Sequence, residues 1–198
     1  MTRIAKLPIE QWDPELRAMQ QAEDASEVEL GMFRVLAHTP ALAKAVTRFG
    51  AELFGARTLS RRLVELLRLR VAFHNQCRSC MAIRYNSAIE DGLTEGAVCS
   101  LARPQEAADL SPDEKAALAY ADRSATDHFA IDESDFDTLR EHFSEAQIVE
   151  LGVFIAFFIG FGRLSAAWAM TEDLPEAYTA PAGRKIAPWE EASLSVRG

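Results

Sequence analysis

The chain of 198 residues is poor in cysteine: it has three, at positions 77, 80 and 99. Three are too few for a secreted disulfide scaffold, and an odd number cannot pair completely. Long hydrophobic runs are also missing. The strongest, residues 151–162, is bracketed by Glu150 and Arg163 and falls short of the ~20 apolar residues a bilayer requires. Residues 1–8 are basic but no apolar run follows, so no signal peptide is expected. These absences predict a soluble chain in a reducing, cytoplasmic setting, without a membrane partner. Cations are scarce, with 21 Lys and Arg against 30 Asp and Glu and a net charge of −9, which disfavours nucleic acid. No segment alternates as a strand would. No glycine-rich phosphate loop or Ser/His/Asp arrangement is visible, and no cofactor is expected.

Helix punctuation fills the chain. Ser26 with Glu29 forms a capping-box pattern for a helix over 26–38. Thr39-Pro40 opens one ending near 55, and Ser60 can cap another carrying Leu63, Leu66, Leu67 and Val71 on one stripe. Asn75 is a plausible cap for a helix that carries Cys77 and Cys80 and stops at Asp91-Gly92. Thr94, Ser111-Pro112 with Glu114, Asp132, and Ser144 with Gln147 start four more, with 103–110 as a connecting loop. The last is apolar nearly all round over 149–161, so it should be buried on most sides. A subunit interface would help, and Gly152, Gly160 and Gly162 would permit close helix contact. The sequence therefore predicts an all-α bundle of about eight helices, oligomeric, with one domain over 1–170 and an irregular arm over 171–198. That arm, with Tyr178 and Trp189, could lie on a neighbouring subunit. Residues 63–66 (LVEL) echo 148–151 (IVEL), which leaves open either a weak internal duplication or chance. On that offset Cys80 falls on Ser165.

The charge is unevenly placed. Residues 57–84 hold seven arginines and one acid, Glu65, so this segment is +6 and the remainder −15. A solvated, salt-bridged helix face accounts for such a cluster; so does a positive field that favours thiolate. Within it lie two thiols at CxxC spacing, Cys77-Arg78-Ser79-Cys80, close enough to bridge. At the start of a helix, Cys77 would be held as thiolate by free N–H groups, and Arg84, four residues beyond Cys80, could reach back along the same face. Glu65 could take or return a proton, or be no more than an ion-pair partner of Arg61 and Arg68. His74, Cys77 and Cys80 supply three zinc ligands where a structural site needs four, so no metal is expected. Cys99 alone reads as a core residue, and Cys77 and Cys80 could themselves be buried small hydrophobes.

The runs 63–72 (LVELLRLRVA), 75–80 (NQCRSC), 86–92 (NSAIEDG), 110–116 (LSPDEKA) and 143–151 (FSEAQIVEL) together resemble the alkylhydroperoxidase D-like, carboxymuconolactone decarboxylase superfamily, over roughly residues 30–170. The resemblance implies an all-helical, homo-oligomeric protein (dimer, trimer or hexamer). Redox members of the group use the CxxC pair to reduce peroxides or pass electrons to partner thiols. It implies roles for Glu65, Cys77 and Cys80, with Cys80 as attacking thiol, whereas helix-end electrostatics would nominate Cys77. The family's proton relay uses a histidine four residues after the second cysteine. Here that position is Arg84, and arginine cannot shuttle a proton. Ser79 replaces a second histidine of the peroxidase members, and His74 is left as a possible relay. The expected function is a thiol oxidoreductase acting on a peroxide or small molecule with a thiol or dithiol donor. The alternatives are a non-catalytic or redox-sensing oligomer, and a lactone decarboxylase.

Overall fold

The computed structural model describes residues 2–171, 173–179 and 185–197. They form α1 (Pro14–Met19), α2 (Glu27–Leu30), α3 (Phe33–Leu36), α4 (Pro40–Gly55), α5 (Arg61–Asn75), α6 (Arg78–Ala82), β1 (Ile83–Tyr85), α7 (Asn86–Glu90), α8 (Glu95–Ser100), α9 (Pro112–Thr126), α10 (Glu133–Arg140), α11 (Glu145–Trp168) and β2 (Leu194–Val196). The fold is all-α in character. The starts read from the sequence are realised where a side chain can reach back to free N–H groups. Capping boxes close at Ser26 with Glu29, Ser111 with Glu114 and Ser144 with Gln147. Ser60 and Thr94 cap α5 and α8. α1, opened by the Asp13 cap and Pro14, had no counterpart in the sequence reading. The helix expected over 26–38 divides at Gly31, whose φ of 45° turns the chain between α2 and α3.

α5 is the axis of the bundle. From Leu63 to Leu69 every residue is buried, with α11 and α9 packed against it. Leucines and phenylalanines from these three helices form the main core, joined by Val98 of α8, Leu101 just after it and Leu139 of α10. A second cluster, including Trp12, Leu16, Leu30 and Leu36, holds α1–α4 together.

α11 runs to Trp168; taken whole, it is by length and composition long enough to cross a membrane, which the apolar stretch 151–162 alone is not. In one respect it departs from expectation: it is not buried on most sides. Ile148, Leu151, Phe154, Ile155, Phe158, Gly162 and Ser165 form one buried stripe at helical spacing, while Val149 and Val153 stay 66% and 39% exposed. Of its glycines, Gly162 meets a neighbour closely: a Cβ there would lie 2.5 Å from the Asn75 amide nitrogen. That amide donates to the Phe158 carbonyl at 3.0 Å, tying α5 to α11. Nothing lies near a Cβ at Gly160.

The C-terminal residues lie against the protein's own body. Ile186 is gripped by the Gln76 side chain, which accepts from its N–H and donates to its carbonyl, both at 3.1 Å. Trp189 packs against Phe73 at a tilt, ring centres 4.7 Å apart. β2 then pairs in parallel with β1, Ile83 opposite Leu194. This short sheet corrects the expectation of no strands. The arm expected over 171–198 is ordered against α6 where it is described; residues 172, 180–184 and 198 lie outside the described residues.

Candidate functional site

The site begins where α5 ends. Gln76 adopts left-handed φ/ψ of 49° and 37°, which costs a non-glycine residue about 1 kcal/mol and is held by its grip on Ile186. The turn makes Cys77, not Asn75, the N-cap of α6, and its sulfur accepts from the Cys80 N–H at 3.3 Å. Cys77 and Cys80 are joined by a disulfide, with Cα atoms 5.2 Å apart. Their surroundings differ. Cys77 is fully buried, beside a small cluster in which Tyr178 and Ile186 of the C-terminal segment cover Ala72, Met81 and Ala82. Cys80 lines a cavity of about 660 Å³.

The cavity lies between α5 and the segments α2–α4 and α11. Its walls are mainly apolar, with Phe54, Phe157, Phe158 and Phe161 among them; Glu65, Arg68, Ser79 and Tyr85 sit with Cys80 at its polar end. Glu65 and Arg68 form a buried bidentate pair, Nε and an Nη each donating to a separate carboxylate oxygen at 2.6 Å. The same guanidinium donates to the carbonyls of Cys80 (2.6 Å) and Ile83 (2.9 Å). Arg68 therefore pins the end of α6 to α5 and sets the cysteine loop beside Glu65. Burial alone would make Arg68 easier to deprotonate, but the charge and hydrogen bonds of Glu65 outweigh it and hold the guanidinium above its usual range. Its carbon also lies 5.0 Å from the Tyr85 ring centre. Burial raises the Tyr85 hydroxyl above the ordinary phenol range, only partly offset by Arg68, so it stays a protonated donor near neutral pH. Tyr85 escaped the sequence reading because it belongs to a three-residue strand with no local pattern.

Two candidates lie elsewhere. Arg84 was expected to reach back to Cys80 along one helix face. That face does not exist, because α6 stops at Ala82 and Ile83 is extended. The Arg84 guanidinium is fully buried and donates to the carbonyls of Met81 (2.9 Å), Ile83 (3.0 Å) and Pro188 (2.7 Å), and to Glu95 (3.1 Å). It fastens the C-terminal segment and is absent from the cavity lining. α6, with five residues, also carries little macrodipole for Cys77, since that effect requires aligned turns. His74 leans toward α9, with Nε2 2.6 Å from the Asp122 carboxylate, which Arg70 also grips at 2.6 and 2.9 Å. Burial opposes ionisation of Asp122, but the bonds from His74 and Arg70 prevail and hold it below the usual carboxylate range. His74 is thereby a link between α5 and α9 and lies outside the cavity lining. Cys99 is exposed rather than in the core, with its thiol 3.8 Å from the Trp189 carbonyl.

Known proteins share this fold. Residues 40–123, which span α4 to α9 and include both cysteines, match the carboxymuconolactone decarboxylase family. The uncharacterized protein YdfG of Bacillus subtilis is 29% identical over 111 residues, 56% of this chain and 76% of that protein. A peroxidase-related protein of Ralstonia eutropha JMP134, described as an alkylhydroperoxidase AhpD core, superposes with a TM-score of 0.75 at 19% identity over 90% of this chain and 94% of its own. The debrominase Bmp8 superposes with a TM-score of 0.68 at 18% identity over 90% and 95%. The matched segment thus carries both cysteines of the disulfide and is similar to the carboxymuconolactone decarboxylase family, and the fold is shared almost end to end with an alkylhydroperoxidase AhpD core.

Proposed function

We propose that the chain is a CxxC-dependent thiol oxidoreductase that reduces a peroxide at Cys80 and is recharged by a thiol or dithiol partner. The observation that carries this reading is the asymmetry of the cysteine pair. Cys80 lines the cavity beside Glu65, while Cys77 is bonded to it from the buried side. An attacking sulfur must meet substrate, and a resolving sulfur need only meet its neighbour.

In the proposed cycle Glu65 takes the Cys80 proton and the thiolate attacks a peroxide oxygen. The S–O bond forms as the O–O bond breaks, and the departing alkoxide recovers the proton, giving an alcohol and a Cys80 sulfenic acid. The Cys77 thiol then attacks the Cys80 sulfur; the S–S bond forms and water leaves. A donor dithiol returns two electrons and two protons, becoming a disulfide itself. Arg68 positions Glu65 and the Cys80 carbonyl, and Tyr85 supplies an O–H to the developing oxyanion. Arg84 and His74 take no part. We place this activity in a reducing, cytoplasmic setting, carried by a homo-oligomer.

Thiol titration tests the reading. Peroxide should consume two thiols of the reduced protein together, at Cys77 and Cys80, and a dithiol should restore both. Cys80→Ser should abolish turnover, whereas Cys77→Ser should halt at a sulfenic acid on Cys80 that dimedone labels. Wild-type peroxide consumption by Cys80→Ser would overturn the assignment. Turnover of an acidic lactone unaffected by thiol alkylation would favour a decarboxylase instead, and a reversible disulfide without turnover would favour a sensor.

A further inference from the structure

The cavity is charged at two places, and the charges at one of them are unmatched. Its lining contains two carboxylates, Glu65 and Glu29. Glu65 is neutralised by Arg68 at 2.6 Å and Glu29 by Arg197 at 2.8 Å. The lining also contains Arg57 and Arg61. Arg57 donates to the Phe54 carbonyl, and Arg61 is exposed at the first position of α5. Neither has a carboxylate partner among the described residues. Both stand at an end of the cavity away from the cysteines: Arg61, Val64, Glu65, Arg68 and Ala72 all line it, at the spacing of one helix face. Arg61 and Arg68 are seven residues apart, about 10 Å along the axis at 1.5 Å per residue. Phe54, Phe157, Phe158 and Phe161 line the same cavity.

The geometry points to an amphipathic carboxylate as the substrate class. Its apolar chain would lie along α5 among the phenylalanines, its carboxylate would meet Arg57 and Arg61, and its hydroperoxide would reach Cys80. This rests on Cys80 being the reactive sulfur. Hydrogen peroxide would leave the apolar wall and both arginines unused; a neutral hydroperoxide would use the wall alone. Two guanidiniums without carboxylate partners at the edge of an apolar cavity offer an anionic head group charge-assisted hydrogen bonds. Arg57 and Arg61 are thus specificity-determining residues, and the chemistry at sulfur is unchanged: a carboxylate-bearing hydroperoxide becomes the corresponding hydroxy acid.

Binding can be measured apart from turnover. Octanoate and 1-octanol have matched tails and cannot oxidise a thiol, so calorimetry with the oxidised protein reads the head group alone. Octanoate should bind about fivefold or more tighter than 1-octanol. Arg57→Ala/Arg61→Ala should remove that preference without weakening 1-octanol, and Arg57→Lys/Arg61→Lys should keep most of it. Arg103→Ala, which removes a charge paired to Glu106 on the surface, should change nothing. In turnover, the double alanine variant should raise KM for a carboxylate-bearing hydroperoxide relative to that for cumene hydroperoxide, with the larger effect in KM than in kcat. Equal binding of the two ligands, binding of neither, or a preference that survives the double alanine substitution would overturn the inference. Each would leave the thiol assignment standing, because neither ligand reports on sulfur. Loss of peroxide turnover in general, with octanoate preference intact, would sink the oxidoreductase reading and not the anion site.

Discussion

Arg68 bears more of this site than its neighbours. It neutralises Glu65 and holds two carbonyls of the cysteine segment, Cys80 and Ile83. Arg68→Met would strand a buried carboxylate, and removing one member of such a pair costs about 3–5 kcal/mol. Chemical denaturation should show that loss, and Glu65→Gln/Arg68→Met should regain most of it; an unchanged midpoint in Arg68→Met would refute the account. At this scale the sequence was readable where chemistry is local. Cys77 and Cys80 stood out by type and spacing, and Glu65 joined them mainly through the family resemblance. Arg84 was misjudged because its role depended on where a helix ended, and α6 stops two residues before it. His74 was misjudged because its partner, Asp122, lies on α9, far away in sequence. Tyr85 had no periodic signal at all.

Helix ends are where the sequence spoke most clearly. A serine or threonine three residues ahead of its N–H partner is a complete physical device, and Ser26, Ser60, Thr94, Ser111 and Ser144 all serve. Asn75 looked equally able but closes α5, and its amide is spent on the Phe158 carbonyl of α11. That use makes two glycines of α11 respond in opposite ways to the same change. Gly160→Ala meets open space and should stabilise by about 0.5–1 kcal/mol through helix propensity. Gly162→Ala would displace the Asn75 amide and should destabilise by about 1–3 kcal/mol, as that part-buried N–H group loses its acceptor. Thermal melts of the two variants should move in opposite directions; movement in the same direction would show that Asn75 is not holding the helices together. The strands were illegible because three residues cannot display a period of two, and β1 depends on a partner 111 positions downstream.

For the molecule as a whole, two surfaces invite measurement. Val149 and Val153, one turn apart on α11, are 66% and 39% exposed, the uncovered side of a helix that the sequence reading expected to be covered. If a second copy covers them, Val149→Asp/Val153→Asp should shift sedimentation to a smaller species while the circular dichroism stays helical; an unaltered sedimentation profile would place any interface elsewhere. The other surface is the docked C-terminal segment. Arg197 and the Ser26 N–H hold the Glu29 carboxyl against the effect of burial, lowering it from 4.5 to about 2. A depressed carboxyl contributes stability that is complete above its ordinary value and lost as pH falls through the lowered one. Docking should therefore weaken between pH 4.5 and 2, seen as faster hydrogen exchange over residues 194–197. Glu29→Gln should exchange faster at neutral pH and lose that acid dependence; an identical profile would show that the ion pair contributes nothing.

The parallel pairing of β1 with β2 also orders events in time. β2 follows every other described element in the chain, so during synthesis the cysteine turn emerges long before Tyr178, Ile186 and the strand that finally seal it. For that interval Cys77 is open to any oxidant or thiol in its surroundings, without the cover that the finished protein wears.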